Sequence, residues 1–279
     1  MAETIDLRVI APTISRVLDV PAPNGAEAAP IDEVVDTLRA ADRLALVVVD
    51  GFGSSLWAHV REDVPVFNRI AALRHREIQS VLPSMTYICI STMLTGVSPS
   101  SHGVTDLQTM IRATRSPDMD SVFNRVRDAG GQTLMAVHKR DVAGLDVERF
   151  ADRTVLAEER NDLEIYARVP RLIREHSPSF AFVHLLDVDE AGHKYGPYAP
   201  EVRQTASGMD RNLSGLLACL ATCGYAVVIV ADHGMHESPE RVMDEGGNRG
   251  MHDGSVQEDL AVPLLWATAN ELRDIVRGR

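Results

Sequence analysis

The chain has 279 residues, 45% of them hydrophobic and 24% charged, and a formal net charge of −12. Such a composition is that of an ordinary soluble globular protein, long enough to bury a full core in one large α/β domain or two small ones. The acidic balance argues against a broad nucleic-acid-binding surface, although bound divalent metals would let such a surface accept a phosphorylated substrate.

The opening "MAETIDLRVIAPT" is acidic and lacks a long apolar stretch, so no secretory signal is expected, and "VPAPNGAEAAP" reads as a loop. Residues 1–30 are therefore predicted to be a partly irregular N-terminal segment. Strands are predicted over 44–49, 78–82, 133–137, 180–186, 225–231 and 261–266, because these runs are apolar, rich in β-branched residues and nearly continuous. Between them, helices are expected over 31–40, 119–129, 163–175, 201–221 and 270–276, with Asp118 and Asn161 as candidate N-caps. Alternation of this kind predicts a single α/β domain over 1–279, with a mainly parallel central sheet and helices on both faces. The longest apolar runs, "LALVVV" and "AVVIV", are strand-sized, so no membrane span is expected. Cys89, Cys219 and Cys223 are too few and too irregular for a disulfide framework. The latter two read as core thiols sharing one helix face. A reduced, cytoplasmic protein is the expectation.

Sites in open α/β sheets form beyond the carboxyl ends of the strands. Reactive residues cluster there in this chain: Asp50 ends "LALVVVD", Ser84 and Thr86 follow "IQSVLP", Asp187 and Asp189 follow "SFAFVHLL", and Asp232 with His233 ends "YAVVIVADH". His193 lies four residues after Asp189, and His252 stands in "NRGMHDGS". Asp50, Asp189, Asp232, His193, His233 and His252 together supply three carboxylates and three imidazoles. That is enough for two three-ligand divalent metal sites with room left for a substrate.

The segments "VVVDGFG", "LPSMTYICISTMLTGVSPSSHGV", "DVDEAGHKYGP", "VIVADHGM" and "GMHDG" come in an order that resembles the alkaline phosphatase superfamily, and within it the type I phosphodiesterases and nucleotide pyrophosphatases. The resemblance implies an alkaline-phosphatase-like sandwich. It also implies two zinc ions per chain, with manganese or magnesium as alternatives. Asp189, His193 and His252 would form one site, and Asp50, Asp232 and His233 the other, which also touches a nucleophilic Thr86. Asp187 is left outside the ligand set.

Metal coordination activates an ordinary alcohol, and a metal pair stabilises both the attacking and the leaving oxygens of an in-line phosphoryl displacement. A helix over 87–94 would turn its N-terminus to an anionic phosphoryl oxygen. Without the resemblance Thr86 reads as a helix cap, and Ser84 is the fallback nucleophile. Two positions depart from the family pattern: Cys89 stands where an Asn usually binds a phosphate oxygen, and Met85 where a Lys usually precedes the nucleophile. His138, Lys139 and Arg140 are candidates to hold substrate in its place, and His102 is expected to shape a turn.

The implied activity is hydrolysis of a small phosphoric ester or anhydride, a nucleotide among the candidates, through a phospho-threonine intermediate. The alternatives are a phosphomonoesterase on the same site, a metal-dependent phosphomutase, which would need an inserted domain, and a non-catalytic binding protein. A sulfatase would need a modifiable Cys or Ser at the nucleophile. The short interval between His233 and His252 leaves little room for a large cap.

Overall fold

The structure, a computed structural model, describes residues 5–115, 119–139, 150–238 and 247–278. Among these residues nine strands follow in chain order: β1 (Leu44–Val49), β2 (His75–Gln79), β3 (Thr133–His138), β4 (Arg153–Ala157), β5 (Phe180–Leu185), β6 (Ala226–Val230), β7 (His236–Glu237), β8 (Gly250–Met251) and β9 (Ala261–Ala267). Seven form one sheet in the order β2-β9-β6-β1-β5-β3-β4, and β7 and β8 make a separate two-stranded ribbon. Within the large sheet only β9 runs antiparallel to its neighbours β2 and β6. The expected mainly parallel α/β sandwich is what the chain forms.

β1, β3, β5 and β6 are buried at every position, as strands covered on both faces must be. One group of helices, Ile10–Val17, Asp32–Leu38, Thr86–Thr95 and Val122–Asp128, packs around Ile10–Val17 on one face. The other group packs around the long helix Pro200–Thr222 and includes Pro65–Leu73, Leu163–His176, Asp187–Tyr195 and Ala269–Val276. No described helix is long and apolar enough to cross a membrane.

Two sequence expectations shift. The strand predicted over 78–82 runs instead over His75–Gln79, because it pairs antiparallel with β9 from His75↔Leu265 to Gln79↔Ala261. β4 was not predicted. It is an edge strand with alternating exposure, so it shows no continuous apolar run. Asn161 accepts a hydrogen bond from the Leu163 amide at 3.2 Å, while Asp162 occupies the cap position itself. Asp118 and Arg140 lie outside the described residues.

Register explains where the reactive residues emerge. Val48 is paired with His184 of β5 on one side and with Val230 of β6 on the other. Asp50 and Asp232 each come two residues further on, so they leave the sheet side by side. Side chains two apart share a face of the sheet, which also puts His184 on the face of Asp50.

Candidate active site

The stretch "DVDEAGHKY" is helical, Asp187–Tyr195, so Asp189 and His193 share a face one turn apart, with His193 Nε2 3.3 Å from Asp189 Oδ2. His252 brings its Nε2 to 3.0 Å from His193 Nε2 and 3.7 Å from Asp189 Oδ1. Beside this trio, His233 Nε2 lies 3.2 Å from Asp50 Oδ1 and 3.3 Å from Asp232 Oδ2. All six candidate ligands thus converge on one place. His233 also bridges the two trios, stacking on His252 with ring centroids 3.7 Å apart and planes 7° from parallel. Sequence reasoning missed His184, whose Nε2 is 3.1 Å from Asp50 Oδ2 and which forms a buried trio with Asp50 and Asp232. Its signal was a single imidazole inside the otherwise apolar run "SFAFVHLL".

Backbone groups orient the rings. The Nδ1 atoms of His193, His233 and His252 face the carbonyl oxygens of Gly250 (2.9 Å), Gly234 (2.9 Å) and Ser84 (2.8 Å). A carbonyl only accepts, so each Nδ1 carries a proton, and each Nε2, turned inward, offers a lone pair to a cation once its own proton is displaced. Both Oδ atoms of Asp50, Asp232 Oδ2 and Asp189 Oδ1 are buried, and apart from the imidazoles of His184, His233 and His252 they have no partner. Lone pairs and buried carboxylate oxygens facing one another at these distances fit a pair of divalent cations, and zinc accepts such a mixture of imidazole and carboxylate.

The buried charges shift one another strongly. Burial and the charge of Asp50 push the Asp232 carboxyl up to about 7. Burial alone would lower the His233 imidazole, but Asp232 and Asp50 outweigh it and raise it to about 10. Burial likewise favours neutral Asp50, yet His184 and His233 hold it well below the usual carboxylate range. Burial and the adjacent His233 lower His252 to about 4.

The loops carrying these groups touch. A side chain at Gly53 would strike the Gly234 backbone, and one at Gly234 would strike the Glu258 carbonyl, so both positions require glycine for the close approach. Asp259, also missed from sequence, ties the turns together. Its Oδ1 is 2.8 Å from His236 Nδ1, its Oδ2 accepts from the Gly254 amide at 2.9 Å, and its carbonyl accepts from the Gly234 amide at 2.8 Å.

Thr86 is the first residue of the helix Thr86–Thr95, and its Oγ1 lies 3.2 Å from His233 Nε2. The N-cap is Met85, which makes no side-chain capping bond. Ser84, the fallback nucleophile, is fully buried and donates to the His252 carbonyl at 3.0 Å, which removes it from that role.

The expected substrate contacts lie elsewhere. Cys89 is fully buried, its Sγ 3.3 Å from Ser80 Oγ, and its thiol is pushed well up by burial. His138 is buried against Asp162, 3.4 Å away, and the Asn161 carbonyl, and Lys139 reaches out to pair with Glu158 at 2.8 Å. None of the three lines the cavity of about 430 Å³ that opens beside Thr86. Arg160 and Glu190, paired with each other, do line it.

The fold and the convergent carboxylate and imidazole groups are those of the alkaline phosphatase superfamily. Within it, the chain belongs to the type I phosphodiesterase / nucleotide pyrophosphatase family, which matches residues 44–132 and 136–253. Among individual relatives, it is 23% identical over 220 residues to venom phosphodiesterase 2 of Crotalus adamanteus, a match covering 70% of this chain and 27% of that protein. A shorter stretch of 86 residues, 31% of this chain and 7% of the relative, is 42% identical to the catalytic subunit of human GPI ethanolamine phosphate transferase 3. The chain spans about a quarter of the length of the venom phosphodiesterases it matches. Solved structures with the same fold include murine ectonucleotide pyrophosphatase / phosphodiesterase 5, with a TM-score of 0.60 and 19% identity over 71% of this chain and 59% of that one. Phosphonoacetate hydrolase from Sinorhizobium meliloti, bound to phosphonoacetate, superposes with a TM-score of 0.54 and 21% identity, covering 72% and 58%.

Proposed function

We propose that the chain is a two-zinc phosphoric-ester hydrolase that works through a phospho-threonine intermediate on Thr86. The observation that carries this reading is the position of Thr86 Oγ1, 3.2 Å from His233 Nε2 at a helix N-terminus, against the cluster of buried carboxylate oxygens. Family membership supports the reaction class, and the imidazole and carboxylate donors suit zinc. Asp189, His193 and His252 would hold one ion; Asp50, Asp232 and His233 the other, with His184 backing Asp50. Bound there, zinc supplies Lewis acidity that makes the Thr86 alcohol nucleophilic and withdraws charge from the phosphoryl oxygens.

The chain's own residues do the rest. The first turn of Thr86–Thr95 presents amide groups and the positive end of the helix dipole to a phosphoryl oxygen, and Met85 offers no side-chain acceptor to compete. Thr86 Oγ forms a bond to phosphorus as the bond to the leaving oxygen breaks, and the hydroxyl proton ends on the leaving group. Water then attacks phosphorus from the vacated side, the Thr86 oxygen leaves, and it regains a proton.

A diester fits better than a monoester. A monoester brings an extra negative charge, and among the described residues lining the cavity the one cationic side chain, Arg160, is paired with Glu190. A panel of phosphomonoesters, diesters and nucleotides, tested with zinc, manganese and magnesium, checks the reading. Diesters should turn over best, and Thr86→Ala should lose on the order of a thousandfold in rate with fold and metal retained, whereas Thr86→Ser keeps a part. Wild-type rates in Thr86→Ala would move the attack to water.

A further inference from the structure

The cavity beside Thr86 is built for hydrocarbon. The helix that begins at Thr86 lines it with Tyr87, Ile90, Ser91 and Leu94, a single stripe that runs about 12 Å away from the nucleophile. Met85, Met110, Met119 and Met135 also line it, four of the ten methionines in the chain. Phe123 and Phe182 add aromatic surface. Methionine is flexible and polarizable, so a wall rich in it suits an occupant that itself has many conformers.

Several of the polar groups in this wall are already engaged. Ser91 Oγ donates to the Tyr87 carbonyl at 2.7 Å, Ser121 Oγ donates to Asn124 Oδ1 at 2.6 Å, and Arg160 pairs with Glu190. A nucleobase placed here would find few partners beyond the Tyr87 hydroxyl, which costs affinity and selectivity. An alkyl chain would lose nothing. At about 430 Å³ the cavity has the size of an ordinary small-molecule site, and it is continuous with Asp50, Thr86, Asp189, His193 and His252.

We infer that the chain takes phosphoesters bearing a flexible hydrocarbon group, with the phosphorus at Thr86 and the alkyl chain lying along the Tyr87–Ile90–Leu94 stripe. The inference rests on the phosphoesterase reading for the placement of the phosphorus, but the chamber can be tested without turnover. Calorimetric titration of the zinc-loaded protein with n-alkylphosphonates, from methyl to octyl, reads the chamber alone, and AMP serves as the competing occupant. Affinity should climb by about fourfold per added methylene, and octylphosphonate should bind more tightly than AMP. Met110→Gln should shrink the ratio of octyl to methyl affinity at least tenfold, with Met110→Leu restoring it; Met135→Gln gives the same readout should the first variant fail to fold. An affinity flat across the series, no binding of octylphosphonate, or tighter binding of AMP overturns the inference. Hydrolysis of 4-nitrophenyl alkyl phosphates is measured in parallel. No turnover with the affinity ladder intact would sink the hydrolytic reading and leave the chamber standing, and turnover with a flat ladder would do the reverse.

Discussion

His193 and His252 point their Nε2 atoms at each other across 3.0 Å, while their Nδ1 atoms face the carbonyls of Gly250 and Ser84. A single proton on one Nε2 makes this contact a hydrogen bond, and with both rings neutral the two lone pairs face a position that a divalent cation can take. Asp189 Oδ1, buried without a hydrogen-bond partner and 3.7 Å from His252 Nε2, completes the set. Protein purified without chelator should therefore carry about two zinc ions per chain by elemental analysis. His193→Ala or His252→Ala should leave about one, and Asp232→Ala should remove mainly the other. Chelation should lower the melting temperature, because free zinc at a hundred times its dissociation constant adds about 2.7 kcal/mol. A well-folded preparation with no first-row metal would contradict the assignment.

Asp259 touches neither expected ligand trio, yet it holds the turn after His233 and the turn after His252 to one another. Asp259→Ala would leave the Gly254 amide and His236 Nδ1 without their acceptor, at about 2–3 kcal/mol. Lower melting temperature and weaker zinc retention on dialysis are the expected outcomes, with Asp259→Asn intermediate. Unchanged zinc retention would show that the two turns hold their ligands independently.

Cys89 gives a prediction opposite to its sequence position. Three residues after Thr86, it lies on the far side of the helix from the Tyr87–Ile90–Leu94 stripe, roughly half a turn away. Cys89→Asn should force a larger amide into a closed position beside Ser80 and the Val81 backbone and destabilise the fold by about 2 kcal/mol. The ratio of diester to monoester rates should stay within twofold. A large gain in that ratio would mean that residue 89 reaches the phosphate after all.

His102 links stability to pH. Its Nδ1 accepts from the Val104 amide at 3.0 Å and its Nε2 meets Thr92 Oγ1 at 3.0 Å, so the neutral ring is the one that fits. Burial lowers it to about 4. The unfolded chain, with histidine near 6.5, therefore binds the proton first as pH falls. The stabilisation is complete above about pH 6.5 and is lost toward pH 4, on the order of 1–2 kcal/mol once solvent screening of this half-buried ring is counted. His102→Gln should flatten that part of the denaturation profile. An unchanged slope would place its origin in other groups.

Much of the frame was legible because buried parallel strands write themselves as continuous apolar runs: 44–49, 133–137, 180–186 and 225–231 each match a central strand within a residue or so. Acids and histidines at their carboxyl ends then marked Asp50, Asp189 and Asp232. Edge strands behave differently, since β4 is half exposed and β2 is defined by its partner β9. His184 was hidden because an imidazole inside a strand looks like a packed core residue until register sets it beside Asp50. Asp259, Arg160 and Glu190 act through tertiary meetings that no local pattern encodes. For Cys89, His138 and Lys139 position along the chain says little, because helix phase, burial against Asp162 and the ion pair with Glu158 set where they lie.

The central claim, two successive displacements through Thr86, leaves a stereochemical record. Each in-line displacement inverts phosphorus, so two of them retain its configuration and one reverses it. The decisive measurement is the hydrolysis, by zinc-loaded protein in heavy-oxygen water, of a diester made chiral at phosphorus by sulfur substitution, followed by assignment of the product's configuration. The phospho-threonine account predicts retention. Inversion would mean that water attacks the substrate directly and that Thr86 forms no bond to phosphorus.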